Sequence, residues 1–178
     1  MNAAGTVYGQ ALYDLALEEG LTHLLWQQLQ TLQQCLEAEP EYLTLLSNPQ
    51  LPKPERCRLL DESMGDAHPY LLNFMKILAE KGHIRQFSDC FRSYRQNYYR
   101  DNNILPVTAV TATALSPSQS DKLEGKLAAL TGKTIVLSNK VDAQTMGGIR
   151  LEYDGKQVDD TVAHRLDSVR QLLKNTVL

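Results

Sequence analysis

The sequence lacks a long apolar run, and this argues against a helical membrane span. No stretch of its 178 residues approaches the roughly 20 consecutive apolar residues that a transmembrane helix needs. The first twenty residues also lack the basic n-region of a secretory signal and the arginine-rich pattern of a transit peptide. We therefore expect no direct membrane insertion, and a protein that stays in the compartment where it is made.

Cysteine is scarce, and histidine is scattered. Cys35, Cys57 and Cys90 are odd in number and have no metal-ligand spacing, so we expect reduced, mostly buried thiols. The four histidines contain no HExxH motif and no pair four residues apart. The sequence therefore predicts no metal site.

Positive charge is scarce in the first third of the chain. The formal net charge is −3 overall, and residues 1–66 hold three basic against ten acidic residues, a net of 3 − 10 = −7. A general nucleic-acid binder carries a strong basic patch, so the composition disfavours that class. The acidic segment either steers a basic partner or forms solvated helix faces, and composition leaves both open.

Apolar residues recur at helical spacing up to about residue 103, which predicts six short helices. The stripes cover residues 7–15, 21–36, 42–46, 57–64, 71–78 and 84–98. Pro54 suits the first turn of the fourth helix, and Gly20 and Gly82 suit the ends of the first and fifth. Short connections between short helices indicate a compact bundle, which we place at residues 1–105.

The pattern changes after Asn103. Residues 106–115 are β-branched and uncharged and predict a strand, and a helix follows from Ser116-Pro117 to Gly132. Further short strands are predicted at 134–137, 148–153 and 156–158, the last two joined by an Asp154-Gly155 turn. The last helix carries Val162, Leu166, Val169, Leu172 and Leu173. The predicted fold class is α+β with two domains: an N-terminal six-helix bundle, then a small α/β domain at residues 106–178.

Three short motifs could carry chemistry. The Gly132-Lys133-Thr134 motif lacks a P-loop's earlier glycine, since Leu127 stands there, and it follows a helix instead of preceding one, so a helix C-cap is favoured. Gly147-Gly148 precedes a strand, which favours a bend or a close backbone approach. Asp159-Asp160 precedes a helical stripe, which favours helix capping over acid/base catalysis.

The stretch from Ser93 to Asn103 mixes arginine with tyrosine, as RNA-contact faces do. Its aromatic residues Phe87, Phe91, Tyr94 and Tyr98 are nevertheless spaced like a buried helix face, which leaves the arginines to the solvent. No catalytic constellation and no cofactor motif remains, so the sequence predicts a binding or structural protein.

Motifs along the whole chain resemble one family, the delta subunit of bacterial F-type ATP synthase and the mitochondrial oligomycin sensitivity conferral protein. The opening YGQALYDLA resembles the family's Y-A-x-A-L-[FY]-x-x-A, and Leu45 to Pro49 resembles its L-x-N-P. Asn73-Phe74 with Leu78 to Gly82 resembles a third family motif, and Val141-Asp142, Gly147 to Ile149 and Asp159 to Leu166 resemble its C-terminal one.

The chain departs from the family pattern at several positions. Gly9 replaces a usual alanine, which by helix propensity alone costs about 1 kcal/mol. Met146 replaces a branched aliphatic residue, Thr161 a usual serine, and His83-Ile84 stand where arginine is common. None of these changes removes a chemical group that the family's function requires.

The resemblance implies a peripheral-stalk role without catalysis. The helical domain would hold N-terminal segments of alpha subunits of the catalytic hexamer, and the second domain the C-terminal ends of the b-subunit stalk. The protein would then be peripheral, on the cytoplasmic face of the bacterial inner membrane. An RNA-binding regulator and a small hydrolase remain the alternatives.

The resemblance also suggests two contact faces. Candidate alpha contacts are Tyr8, Ala11, Leu12, Leu15, Leu71, Leu72, Met75 and Leu78, and candidate b contacts are Gly147, Gly148, Ile149, Val162, Leu166 and Val169. Each apolar residue in these sets could instead fill its own domain's core.

Overall fold

The computed structural model of the chain describes residues 3–162 and residue 164. The chain divides into two compact units between Tyr98 and Tyr99. The prediction of a mixed helix-and-sheet protein is confirmed. The sequence predicts two domains that fold independently, with a boundary between residues 105 and 106. That boundary stays a prediction.

The first part of the chain is helical. Its helices are α1 (Ala3–Glu18), α2 (Thr22–Ala38), α3 (Pro40–Leu46), α4 (Lys53–Ser63), α5 (Pro69–Glu80) and α6 (Phe87–Asp101), with a 3₁₀ turn at Ile84–Gln86. Prolines stand in the first turns of α3, α4 and α5, where a missing N–H costs nothing. Gly20 and Gly82 have positive φ and follow the ends of α1 and α5, as predicted.

The core of the first unit is built mainly by the stripes predicted on α2, α5 and α6. Its fully buried large side chains include Leu25, Leu29, Leu46, Leu60, Met75, Leu78, Phe87 and Tyr94. Tyr94 packs edge-on against Tyr13 and donates a 2.9 Å hydrogen bond to the carbonyl of Thr22. This burial raises the pKa of Tyr94 well above its ordinary value.

The predicted core stripe of α1 is wrong by a rotation of the helix. The face that packs inward consists of Gly5, Gly9, Leu12, Tyr13 and Ala16. The stripe predicted within residues 7–15 consists of Val7, Tyr8, Ala11, Leu12 and Leu15, and of these only Leu12 lies in the core. The reason is steric, because the two glycines let α1 approach α6 closely, and a hydrophobicity pattern does not count glycine as an inward residue.

A buried arginine that the sequence did not reveal joins α4 to its surroundings. Arg56 is 8% exposed, and its guanidinium donates to three backbone carbonyls. Its partners are Leu51 at 3.0 Å, Ala79 at 3.0 Å and Asn48 at 2.7 Å. These bonds tie the Asn48–Leu51 loop to the end of α5 and give the buried guanidinium acceptors for its N–H groups.

The expectation of mostly buried cysteines is wrong for two of the three. Only Cys90 is buried, while Cys57 is half-buried and Cys35 is exposed. Burial raises the pKa of the Cys90 thiol to about 11, which suppresses its reactive thiolate. No disulfide forms among the three thiols.

The second unit contains a four-stranded sheet and one described α-helix. The strands are β1 (Ile104–Thr111), β2 (Thr134–Val141), β3 (Ile149–Tyr153) and β4 (Lys156–Asp159), and the helix is α7 (Pro117–Thr131). The sheet order is β2-β1-β3-β4, with β1 parallel to β2 and the other pairs antiparallel. The strand β1 begins at Ile104, before the predicted start at residue 106, and it ends at Thr111, before the predicted end at residue 115.

One face of this sheet is covered by α7. Leu105, Val107 and Ile135 form the buried cluster, and Leu127 and Ala128 of α7 pack on it. Ser116 caps α7 with a reciprocal bond pair to Gln119, and Gly132 ends it in the left-handed conformation, as predicted. The parallel β1–β2 pair requires such a crossover helix.

Candidate partner-binding faces

Three of the four predicted alpha contacts on α1 reach an apolar surface face. Ala11 is exposed, Tyr8 and Leu15 are half-buried, and the fourth, Leu12, is buried in the core. Val7, which was not among the predicted contacts, is 66% exposed and lies one turn before Ala11 on the same side of the helix. This α1 face, comprising Val7, Tyr8, Ala11 and Leu15, is an apolar strip outside the fully buried core.

The predicted alpha-contact residues of α5 divide differently. Leu71, Met75 and Leu78 are at most 1% exposed, so they are core residues and have almost no surface to offer. Leu72 is half-buried, and Ile77, which sequence analysis did not select, is 45% exposed. The available apolar surface of α5 thus consists of Leu72 and Ile77.

An aromatic contact brings the α1 face close to the end of α5. The ring of Tyr8 lies 5.8 Å from the ring of His83, centroid to centroid, in a tilted arrangement. His83 follows Gly82, directly after α5. The Tyr8 ring therefore sits where an apolar peptide on α1 would also meet the C-terminal end of α5.

The glycine pair in the second unit packs against the segment that carries the acidic pair. Gly147 and Gly148 have φ values of +152° and +80°, which favour glycine. A Cβ at Gly148 would lie 2.5 Å from the Asp160 carbonyl oxygen. Val162 N–H donates to the Gly147 carbonyl at 3.0 Å, and Asp160 N–H donates to that of Ile149 at 3.1 Å. Close backbone approach, the predicted role, is confirmed.

The Thr161 hydroxyl makes the N-cap bond of the last helix, which corrects the prediction that Asp159 makes it. The Thr161 hydroxyl accepts a 3.2 Å hydrogen bond from His164 N–H, the bond that an N-cap residue makes. Asp159 instead ends β4 and accepts a 2.9 Å bond from Thr161 N–H. Hydrogen bonds from Thr161 lower the pKa of Asp159 below its ordinary value. The carboxylate thus positions the cap and does not form it.

The other candidate b contacts divide into three groups. Ile149 and Gly147 are half-buried, while Gly148 is open to solvent although its backbone is closely packed. Val162 is 43% exposed, and Met146 and Val158 of the same unit are exposed as well. Leu166 and Val169 lie outside the described residues.

The rejected chemical motifs fall on structural positions. Gly132 is the left-handed C-cap of α7, and Thr134 begins β2 with an N–H bonded to the Asn103 carbonyl. In the Arg/Tyr stretch, Tyr94 and Tyr98 are buried, and Trp26 stacks between Tyr98 and Phe91. Among residues 3–162 and 164, no cluster of three or more His, Cys, Asp or Glu side chains could hold a metal ion.

Comparison with known proteins gives a consistent assignment. Residues 5–173 match the family described as the ATP synthase delta (OSCP) subunit. The chain belongs to this family. The ATP synthase subunit delta of Lacticaseibacillus casei is 29% identical over 167 residues, which cover 93% of this chain and 92% of the relative. That of Lactobacillus delbrueckii subsp. bulgaricus is 31% identical over 169 residues, which cover 93% of each chain.

A solved structure supports the fold independently. One chain of the Toxoplasma gondii mitochondrial ATP synthase hexamer superposes with a TM-score of 0.76 at 15% identity, covering 97% of this chain and 98% of that one. Delta (OSCP) subunits are structural, so the prediction that the chain is not itself an enzyme is confirmed. The RNA-binding alternative gains no support from these relatives. In the described part of the chain no helix is long and apolar enough to cross a membrane.

Proposed function

We propose that this delta-family subunit is a stator linker in the peripheral stalk of an F-type ATP synthase. It ties the catalytic alpha/beta hexamer to the b-subunit stalk, so that rotor torque is coupled to proton translocation and ATP synthesis. Family membership is the observation that carries this proposal. Two binding units on one chain suit the task, because each engaged contact makes the other effectively intramolecular.

The first unit, with its six helices acting as one bundle, is the proposed site for alpha N-terminal segments. The exposed α1 face supports this, because Val7, Tyr8, Ala11 and Leu15 offer anchors at helical spacing. Leu72 and Ile77 extend the apolar surface on α5. The buried candidates Leu12, Leu71, Met75 and Leu78 belong to the core of the unit and have almost no surface to offer the partner.

The second unit is the proposed platform for the C-terminal ends of the b subunits. The Gly147-Gly148 pair and the Thr161 cap fix the point at which the last helix leaves the sheet. Ile149 and Val162, with Leu166 and Val169, are the proposed contact residues. The protein would be peripheral, on the cytoplasmic face of the inner membrane, and would use no cofactor.

The test compares substitutions on and off the α1 face in the full-length protein. Ala11→Glu and Val7→Glu place a charge on the face, while Leu17→Glu places one on the same helix at a 57%-exposed position away from it. We expect the first two to weaken binding to the purified catalytic hexamer about tenfold or more. The Leu17 variant should bind as the wild type does.

Folding and stalk binding are measured on the same variants. Circular dichroism should be unchanged for Ala11→Glu, because Ala11 is exposed. Val162→Glu should reduce binding to the C-terminal region of the b stalk without affecting hexamer binding. The proposal fails if full-length folded protein binds neither the hexamer nor b, and the choice of face fails if Leu17→Glu is as damaging as Ala11→Glu.

A further inference from the structure

A second apolar groove runs along α2, and apart from the buried Leu71 none of its lining residues belongs to a proposed contact face. Its volume is about 640 Å³, and it is bounded by α2 on one side and by α3 and the α4–α5 connection on the other. The lining residues on α2 are Gln27, Gln28, Thr31, Leu32, Cys35 and Leu36, and Glu39 follows directly after the end of the helix. The opposite wall holds Tyr42, Ser63, Met64, Asp66, Ala67 and Leu71. We call this the α2 groove.

The α2 groove has an apolar floor and is open along one edge. Leu36 and Leu71 are buried beneath it, and Leu32 and Met64 are half-buried in its walls. Gln27, Thr31, Cys35 and Glu39 recur every four residues and are all exposed, so they form an upper edge that runs along α2 at an incline to the helix axis. From residue 27 to residue 39 this edge extends for about 18 Å, or three helical turns.

Internal hydrogen bonds hold the walls of the groove in place. The Tyr42 hydroxyl lies 2.6 Å from the Ser63 hydroxyl and 3.3 Å from the Leu59 carbonyl, which links α3 to α4. The Gln28 side-chain oxygen accepts a 2.9 Å bond from His68 N–H, which links α2 to the start of α5. The groove is therefore formed before any partner arrives, and binding needs little rearrangement.

The charged side chains that line the groove are of one sign. Glu39 and Asp66 are exposed on its rim, and none of its lining residues is lysine, arginine or histidine. Residues 1–66, which supply all the lining residues except Ala67 and Leu71, carry a formal net charge of 3 − 10 = −7. A partner with an apolar stripe and flanking positive charge complements this surface. Its cations would face the carboxylates of Glu39 and Asp66, while its apolar stripe would be buried in the groove, away from water.

We infer that the α2 groove binds an amphipathic helix whose apolar stripe is flanked by lysine or arginine. A straight, open channel of three turns matches a helix of about twelve residues with anchors at i, i+4 and i+7. A compact small molecule would leave most of an 18 Å channel of this kind (length estimated at about 1.5 Å per residue) unfilled. The inference is independent of the stalk function, since the α1 face lies on other residues.

The test uses Cys35 as a reporter in full-length protein carrying Cys57→Ser. Cys35 is exposed on the groove edge and Cys90 is buried, so a thiol reagent reports on Cys35. The probe is a synthetic leucine/lysine peptide of about fourteen residues with a helical stripe. One control peptide has the same composition in an order without a stripe, and a second has glutamate in place of lysine. We expect the first peptide alone to slow the reaction of Cys35.

Variants assign the protection to the groove. Leu32→Glu in the wall should raise the peptide concentration needed for protection about tenfold, while Leu24→Glu, exposed on the same helix outside the groove, should not. Glu39→Lys with Asp66→Lys alters only exposed positions and should shift the preference to the glutamate peptide. In the Ala11→Glu variant, the striped peptide should protect Cys35 as it does in the wild type.

Four outcomes would overturn the inference. The first is an unprotected Cys35 with the striped peptide at every concentration, and the second is equal protection by the stripeless peptide. The third is equal weakening by Leu24→Glu and Leu32→Glu. The fourth is protection by tetraphenylphosphonium where the striped peptide gives none, which would assign the groove to small lipophilic cations.

Discussion

Gly9 in α1 lies directly against the backbone carbonyl of Cys90 in α6, so close that a Cβ at position 9 would overlap the oxygen. One turn earlier, a Cβ at Gly5 would stand 2.6 Å from the Cβ of Asp89. The two glycines thus leave this side of α1 without side chains, and α6 packs directly against the α1 backbone. Ser93 of α6 uses this proximity to donate a 3.0 Å hydrogen bond to the Thr6 carbonyl.

Replacing Gly9 with alanine should therefore destabilise the protein, although alanine is the better helix former. We expect Gly9→Ala to lower the free energy of unfolding by about 1–3 kcal/mol, because α1 must move away from α6. Gly125→Ala is the matched control, since Gly125 lies in α7 with open space around it and should gain about 0.5–1 kcal/mol. Urea unfolding followed by circular dichroism measures both. Stabilisation by Gly9→Ala would contradict the packing argument.

The buried Arg56 should be far more sensitive than its neighbour Arg58. Arg56→Met removes three hydrogen bonds and leaves the Leu51 carbonyl without this donor, while the Asn48 and Ala79 carbonyls keep backbone donors from Leu51 and Gly82, so we expect a loss of about 2–4 kcal/mol. Arg58 is exposed and makes only surface ion pairs, so Arg58→Met should change stability by at most about 0.5 kcal/mol. Trp26 fluorescence in urea follows this unit. Equal effects would show that the three bonds are dispensable.

Gly148 should tolerate no branched side chain. Its φ of +80° and the 2.5 Å approach of the Asp160 carbonyl oxygen both oppose a Cβ, so Gly148→Val should cost about 1–3 kcal/mol. Gly155 shares a positive φ but has open space, and Gly155→Asn should be nearly neutral. Thermal unfolding of both variants measures this. Gly148→Val should leave ATP hydrolysis by the detached catalytic hexamer unchanged. In the assembled complex, the coupling of ATP hydrolysis to the membrane sector should fall.

The carboxylate of Asp159 should make stability depend on pH in the acidic range. Because hydrogen bonds from Thr161 lower its pKa in the folded state, the unfolded chain takes up this proton at higher pH. Its contribution is present above the ordinary aspartate pKa and is lost as pH falls through the lowered one. Asp159→Asn keeps an acceptor for Thr161 N–H and should remove this part of the pH dependence.

The measurement for Asp159 is urea unfolding at a series of acidic pH values. Asp159→Ala, which removes the acceptor, should be less stable than Asp159→Asn at every pH. If the asparagine variant retained the full acid sensitivity of the wild type, the bond between Asp159 and Thr161 would not be its source.

The candidate sites show where sequence patterns are informative and where they are not. The Asp154-Gly155 turn was predictable, because both residues adopt the positive φ that this dipeptide favours. The cap of the last helix was misassigned, because carboxylates and a threonine stand side by side and only the geometry shows that Thr161 faces His164 N–H. Arg56 gave no signal, because its carbonyl partners come from a loop before its own helix and from the end of α5, which lie apart in the chain.

The sequence by itself determined which helices and strands form, in what order, and which family the chain belongs to. Those features follow from local chemistry, such as the first-turn prolines, Gly132 as a C-cap, and the hairpin turn. Only the tertiary structure decided which side of α1 is buried and which is offered to a partner. That choice depends on how closely two helix backbones can approach at Gly5 and Gly9, and this distance is set by α6, some eighty residues away in the chain.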